Sequence, residues 1–217
     1  LEIGQSQLDA APDELKAQRE QLVATRDAIL TVLDAFDAKE EINQALDVVN
    51  STLYTLSKAE DAISMEFGSI SAARRSIQQQ KSDLDAAYAA YNEALSTGNR
   101  EDIEAAAAEL TAENNASAIL IGRIAKLLPE DYRPAIDIAA LPEDPAAAYL
   151  ILSAALTGCD NSLAFLNTAI NNAEATRNEL ENQESWLDFS ELGQMTKAEA
   201  EKYLDQIEDG IEQIDKA

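Results

Sequence analysis

Apolar residues recur every seven positions along most of the chain, which is the spacing of one apolar stripe on a helix. The first stripe comprises Leu8, Leu15, Leu22, Ile29 and Phe36. Further stripes start at Ile42, Ile70, Ile103, Tyr149 and Ala200. No window alternates regularly between apolar and polar residues, as a strand would. The pattern therefore predicts an all-α protein of about six helices.

Turn and cap residues predict where these helices end. The phrase Asp37–Glu41 is expected to separate the first two helices. Gly68 and Gly98 suit helix ends, because glycine readily adopts the left-handed conformation that closes a helix. Thr196 and Glu199 have the spacing of a capping box, which predicts the start of the last helix.

The helix count predicts how the chain runs. Helices joined by short turns alternate in direction, and an even number brings the N- and C-termini to the same end. The phrases Ile3–Ala11 and Asp209–Ala217 align without a gap, so both ends carry one repeated pattern. We therefore expect an elongated antiparallel helical bundle or coiled coil, a single domain excised from a larger protein. Residues 1–22 and 200–217 would form stalk-like arms.

A proline-rich segment, residues 129–145, interrupts the helical pattern and holds four of the five prolines. Two interpretations stay open. The segment contains two helix starts with a short helix between them, since proline followed by acids suits a helix N-terminus. Alternatively, it is a protruding tip that a partner grips through Tyr132, Arg133 and Leu141.

Aromatic residues suggest two further sites, each with a packing alternative. Trp186 begins the densest aromatic cluster, Trp186–Phe189, which either closes one end of the bundle or forms an exposed anchor for a partner. Tyr88, Tyr91 and Tyr149 either pack in the core or line a small-molecule site between helices.

The composition argues against most catalytic chemistry. Histidine is absent, which removes the usual general base and the usual ligand of helical di-metal centres. The chain contains no phosphate-binding loop and no nucleophile elbow, and its single cysteine, Cys159, lies in an apolar register that predicts a core position. We therefore predict a non-enzyme with no catalytic, cofactor-binding or metal site.

The charge limits the class of partner. With 41 acidic and 16 basic residues, the net charge is −25, so the surface repels nucleic acid and anionic headgroups. The longest near-apolar run, Pro145–Leu156, is too short to span a bilayer. Four polar residues interrupt the apolar stripes and are expected to fix helix register, namely Glu60, Lys81, Asn114 and Arg177.

The two ends resemble a known class of helices. "GQSQLDAAPDELKAQREQL" (Gly4–Leu22) and "LDQIEDGIEQIDKA" (Leu204–Ala217) are similar to the repetitive helices of extracytoplasmic inserts in bacterial exporters, such as FtsX/MacB-type ABC permeases and YhgE/Pip-type membrane proteins. The resemblance covers about 35 residues at the two ends. It implies a membrane-anchored parent protein with this domain at the cell surface or in the periplasm.

These observations lead to a functional hypothesis. The domain is a non-enzymatic extracytoplasmic stalk or interaction domain of a bacterial membrane protein, related to transport or export. Its partner is a protein or a cell-envelope component, and the sequence leaves homo-oligomer formation open. Two alternatives also stay open: a ligand-binding or sensor bundle, and a secreted helical effector.

Overall fold

The computed structural model describes residues 2–134, 140–187 and 195–216, with side chains from residue 14 onward. Its helices are α1 (Glu2–Phe67), α2 (Ile70–Thr97), α3 (Arg100–Leu127), α4 (Pro145–Trp186) and α5 (Lys197–Asp215), and a 3-10 turn covers Glu130–Tyr132. No strand occurs in the described ranges, which confirms the all-α class.

Helix α1 is continuous through Asp37–Glu41, so the break predicted there is wrong. These residues contain neither glycine nor proline, and alanine, lysine and glutamate all favour helix. The polar run is solvated on one side and does not interrupt the backbone hydrogen bonds. The described residues therefore contain five α-helices, and the count of six is not confirmed.

Three predicted helix ends are confirmed. Gly68 follows α1 with a φ of 87°, and Gly98 follows α2 with a φ of 69°. Both angles lie in the left-handed region, where a residue with a Cβ would be strained. At the start of α5, Thr196 and Glu199 form the reciprocal hydrogen bonds of a capping box.

The chain divides into two compact units. Unit 1 comprises Leu1–Val48 and Arg177–Ala217, and unit 2 comprises Val49–Thr176.

Unit 2 contains a fully buried apolar core. The last turns of α1 contribute to it together with α2, α3 and the first part of α4. Its largest fully buried side chains are Ile63, Ile77, Leu84, Leu110, Ile121, Ile124, Leu128, Leu152, Leu156, Leu163, Leu166 and Cys159. These residues include several of the stripe positions that the sequence predicts for α2, α3 and α4, such as Ile77, Leu110 and Leu156, and they confirm the core position of Cys159.

Helices α3 and α4 of unit 2 run in the same direction. Helix α2 pairs closely with α3 across the turn at Gly98, so these two helices are antiparallel. Helix α4 is also antiparallel to α2. Arg74 of α2 contacts Asp160 of α4 and Lys81 contacts Ser153, so residue numbers rise along α2 as they fall along α4. Both α3 and α4 therefore oppose α2.

The parallel course of α3 and α4 departs from the alternating order that the sequence predicts. Parallel neighbours of this kind require a connection longer than the short turn of an alternating bundle. A contact at the start of α4 agrees with the parallel course. Asn114, in the middle of α3, donates from Nδ2 to the carbonyl oxygen of Pro145 at the start of α4, over 2.9 Å.

In unit 1, α5 runs opposite to the first part of α1. Arg19 Nε lies 2.6 Å from Asp215 Oδ1, and Lys197 Nζ lies 2.5 Å from Asp37 Oδ1, so residue numbers rise along one helix as they fall along the other. Leu1 and Ala217 fall outside the described residues, and the predicted placement of the termini stays a prediction.

Close helix approach does not explain the helical glycines. A Cβ built at Gly210 would meet Leu22 Cδ1 at 3.4 Å, which is ordinary contact, and one built at Gly122 would meet nothing within 4 Å. No close helix contact therefore requires a glycine at position 122.

Candidate functional site

The first part of α4 is almost free of charge. Residues 145–173 contain a single charged side chain, Asp160, in a chain of which 26% of the residues are charged. The Asp160 carboxylate accepts hydrogen bonds from Arg74 Nε and Nη2 at 2.8 and 3.0 Å. This pairing holds the pKa of Asp160 below its usual value. The one acid of this stretch is therefore neutralised within unit 2.

One side of this stretch faces solvent, and we call it the α4 outer face. It consists of Leu150, Ile151, Ala154, Thr157, Asn161, Phe165, Thr168 and Asn172. Leu150 is 63% exposed and Phe165 is 68% exposed, although both are large apolar residues. The opposite side of the helix forms the core of unit 2, so α4 is apolar on more of its circumference than its packing requires.

The α4 outer face is bordered on one side by α2. There Lys81 Nζ donates to Ser153 Oγ over 2.9 Å, and Tyr149 Oη donates to Asp85 Oδ1 over 2.9 Å. The hydrogen bond to Asp85, together with burial, raises the pKa of Tyr149. These interactions fix the rotation of α4 against α2, which determines the residues that face outward.

On its other side the face is bordered by a groove of about 400 Å³. The groove is lined by Asp131, Tyr132, Arg133, Ser162, Phe165, Thr168, Ala169 and Asn172. Arg133 Nε donates to the carbonyl oxygen of Leu128 over 3.0 Å, which satisfies a carbonyl at the end of α3. The 3-10 turn is therefore held firmly beside α4.

The structure brings together two of the four residues predicted to contact a partner. Tyr132 and Arg133 line the groove, while Leu141 is half-buried and packs against the core of unit 2. Trp186 belongs to unit 1, where its side chain is 87% exposed. Phe189, the other aromatic residue of that predicted cluster, lies outside the described residues. Contact of these residues with a partner stays a prediction.

The tyrosines that could line a small-molecule site are packed against each other and the core. The rings of Tyr88 and Tyr149 stack with centroids 3.8 Å apart and planes 7° from parallel. Both rings and that of Tyr91 lie against the core of unit 2. This arrangement favours the packing interpretation, because the stacked faces are already occupied.

The polar residues that interrupt the stripes have varied surroundings. Asn114 is buried, and its Oδ1 atom has no hydrogen-bond partner in the structure. Arg177 Nε lies 3.6 Å from Glu181 Oε1 in an ion pair, which is beyond hydrogen-bond distance, and this buried atom makes no hydrogen bond. Glu60 is half-buried. In the part of the chain that the structure describes, acidic and cysteine side chains do not come together in a group of three or more that could hold a metal ion.

Cys159 is unsuited to nucleophilic chemistry. It is fully buried, and the loss of solvation raises the pKa of its thiol to about 11. The thiolate is the reactive form of cysteine, so this side chain stays protonated and shielded at neutral pH.

Helix α4 also meets the length and composition criteria for a membrane span, with a mean hydropathy of 1.3 over its most apolar window and 33% of that window buried. The core helix of a soluble protein meets the same criteria, so one such helix is weak support for a membrane location. In the sequence, the apolar run Pro145–Leu156 taken alone is too short for a membrane span, and its seven-residue spacing predicts core positions. The gap in charge over residues 145–173 was the signal that could have revealed the α4 outer face.

No protein-family model, curated protein or solved structure matches the chain.

Proposed function

We propose that this chain is a non-enzymatic helical interaction domain that docks onto another protein through the α4 outer face. One observation carries the proposal: a face with no charged side chain, on which Leu150 and Phe165 are 63% and 68% exposed, in a chain of net charge −25. The expected setting is the extracytoplasmic part of a membrane-anchored bacterial protein with a role in transport or export.

Binding through this face is energetically favourable for two reasons. Complete burial of a leucine or phenylalanine side chain contributes about 1.5–3 kcal/mol. In addition, no ionised group of the face has to lose its hydration when a partner covers it. On the acidic surfaces elsewhere, a partner would have to desolvate carboxylates, and this cost often exceeds the energy of the ion pairs that form.

The packing of unit 2 supports a rigid mode of docking. The inner side of α4 places Leu152, Leu156 and Leu163 in the core with no exposed surface. Because the helix is fixed by these contacts, the outer residues keep their spacing before a partner arrives. A preorganised surface loses little conformational entropy on binding.

A cross-linking experiment tests this function in the complete natural protein, expressed in its own cells. A photoreactive amino acid replaces Phe165 or Leu150 in two variants, and Glu109 in a control variant. Glu109 is exposed on α3 of the same unit but lies in an acidic surface. We expect protein adducts of discrete size at positions 165 and 150 and none at 109. Equal labelling at all three positions, or none at 165 and 150, contradicts the proposal.

The groove beside the face favours a second candidate, a ligand-binding domain. Its lining combines an exposed aromatic ring, Phe165, with the charged groups of Asp131 and Arg133 and the amide of Asn172. Such a mixture suits a small molecule that has both polar and apolar parts. Ligand screening by protein NMR would support this candidate if Arg133→Gln removed binding and Leu150→Ala did not. The reverse pattern would assign binding to the face.

A further inference from the structure

We propose that the α4 outer face binds the same face of a second copy of this chain, in a two-fold arrangement with the two α4 helices antiparallel. This inference rests on the proposed function, because it names the partner of the docking surface described above. Three properties of the face lead to a second copy: its charge, the order of its large and small residues, and its hydrogen-bonding groups.

The first property is electrostatic. Each copy carries a net charge of −25, so contact between two acidic surfaces would be strongly repulsive. The α4 outer face itself has no charge, and Asp160, the one acid of residues 145–173, is paired with Arg74. On the groove side, Asp131 and Arg133 have opposite signs. A second copy can therefore approach here without direct repulsion between carboxylates.

The second property is the arrangement of side-chain size. Leu150 and Phe165 lie 15 positions apart, which is about 22 Å along a helix. Between them the face carries Ile151 next to Leu150 and then the smaller residues Ala154, Thr157 and Asn161. A two-fold axis near Thr157 would place Leu150 of one copy opposite Phe165 of the other, twice. Isologous contacts require such a self-complementary pattern.

The third property concerns the polar groups of the face. Asn161 and Asn172 carry amides, and Thr157 and Thr168 carry hydroxyls. Amides and hydroxyls both donate and accept hydrogen bonds, so the Thr157 hydroxyls of the two copies can pair across the axis, and Asn161 can bond to a neutral group of the second copy. Ionised side chains could not do so, because like charges would meet.

The size of the face predicts a weak dimer. The α4 outer face spans 23 residues, Leu150–Asn172, or about 34 Å of helix, and a contact about 10 Å wide would bury roughly 340 Å² on each copy. The total of roughly 700 Å² lies below the usual size of stable interfaces, so we expect a Kd on the order of 100 μM. Confinement of the parent protein to a membrane would raise the effective concentration and favour the dimer.

Sedimentation equilibrium of the purified chain between 10 μM and 1 mM tests this inference. We expect a monomer–dimer equilibrium that tightens several-fold between 0.05 and 0.5 M NaCl, because salt screens the repulsion between acidic copies. Leu150→Glu and Phe165→Glu should each weaken association at least tenfold. The matched control is Ile119→Glu on α3, a 65% exposed apolar residue outside the face, which should leave the Kd unchanged. Circular dichroism checks that all three variants fold.

Disulfide formation then tests the geometry. A mixture of Leu150→Cys and Phe165→Cys chains should cross-link into a heterodimer faster than either variant alone forms a homodimer, while Thr157→Cys should form a homodimer readily. A chain that stays monomeric at 1 mM, or a dimer unaffected by both glutamate substitutions, overturns the inference. If the purified chain is monomeric while Phe165 in cells forms adducts with a different protein, self-association fails and the proposed docking function stands.

Discussion

Units 1 and 2 carry the same seven-residue apolar pattern, yet they bury their stripes to different extents. In unit 2, stripe residues such as Leu84, Leu156 and Leu163 are completely buried. In unit 1, the stripe residues Leu22 and Ile207 are half-buried. Among the described side chains of unit 1, only Ala200 is fully buried. The pattern alone therefore does not determine how much apolar surface is removed from water.

The number of neighbouring helices explains this difference. In unit 2, α2 packs against both α3 and α4, so a stripe is covered from more than one direction. In unit 1, the described ion pairs between helices join α1 to α5, as in Arg19–Asp215 and Lys197–Asp37, and to the end of α4, as in Lys39–Glu184, and all of them are exposed. Exposed ion pairs of this kind contribute little to stability, because water and salt screen them. We therefore expect unit 2 to be the more stable of the two.

Thiol labelling at pH 8 should give the largest contrast between the units. Cys159 is the only cysteine, and its side chain is fully buried in unit 2 with a pKa raised to about 11. We expect it to react with a disulfide reagent at least about 1,000-fold more slowly than an unstructured thiol, because reaction requires opening of the core. In a chain with Cys159→Ala and Leu204→Cys, the new thiol of unit 1 should react far faster than Cys159.

The background substitution needs its own control, since Cys159→Ala leaves a small cavity. Urea unfolding of the Cys159→Ala chain shows whether the fold survives before any rates are compared. Equal labelling rates at positions 159 and 204 would contradict the difference in packing.

Truncation of matched leucines should give the next largest effect. Leu163→Ala removes a fully buried side chain of unit 2 and should lower the free energy of unfolding by about 2–5 kcal/mol. Leu204→Ala removes a half-buried side chain of unit 1 and should cost no more than about 1–2 kcal/mol, because less surface returns to water. Urea unfolding followed by circular dichroism measures both.

Because the two units can unfold in separate steps, each transition should be fitted on its own. Tryptophan fluorescence follows unit 1 through Trp186, and Cys159 labelling follows unit 2. A larger loss of stability from Leu204→Ala than from Leu163→Ala would overturn the ranking of the units.

Local patterns in the sequence predicted the fold class and several helix ends correctly. The left-handed glycines at 68 and 98 and the capping box at Thr196 depend on neighbouring residues only, and such signals are readable from sequence. The error at Asp37–Glu41 has a physical cause. A polar run resembles a turn in composition, but without glycine or proline nothing forces the helix to end.

The candidate site was harder to predict, since it depends on which side of α4 stays uncovered. Seven-residue spacing predicted the inner residues Leu156 and Leu163 but not the exposure of Leu150 and Phe165. Their exposure depends on how the helices of unit 2 are arranged around α4. A single sequence does not indicate that arrangement, because antiparallel and parallel neighbours have the same periodicity.

Removal of N-terminal caps should affect the two units differently. Thr196 caps α5 in unit 1 and Asn99 caps α3 in unit 2, each by accepting a hydrogen bond from the backbone of its helix. Loss of such a cap costs about 1 kcal/mol. We expect Thr196→Ala to cause fraying of α5, seen as faster amide hydrogen exchange in its first turns. Asn99→Ala should change amide hydrogen exchange in the first turns of α3 only slightly, because packing against the core of unit 2 holds this helix in place. Similar exchange at both helix starts would refute this expectation.

The smallest effect concerns the ion pair beside the α4 outer face. Hydrogen bonds from Arg74 lower the pKa of Asp160, so the folded carboxyl is more acidic than the unfolded one. This stabilisation is complete above the unfolded pKa of about 3.9 and is lost as the pH falls through the lower, folded pKa. Arg74→Gln should raise the pKa of Asp160 and cost about 0.5 kcal/mol at pH 7, with the difference from wild type vanishing near pH 2. NMR titration of the Asp160 carboxyl carbon measures the pKa directly.

Arg100→Gln is the control, because its pair with Glu104 is far more exposed. If the Asp160 pKa were unchanged in Arg74→Gln, the pairing with α2 would not be the interaction that stabilises the ionised form of this acid.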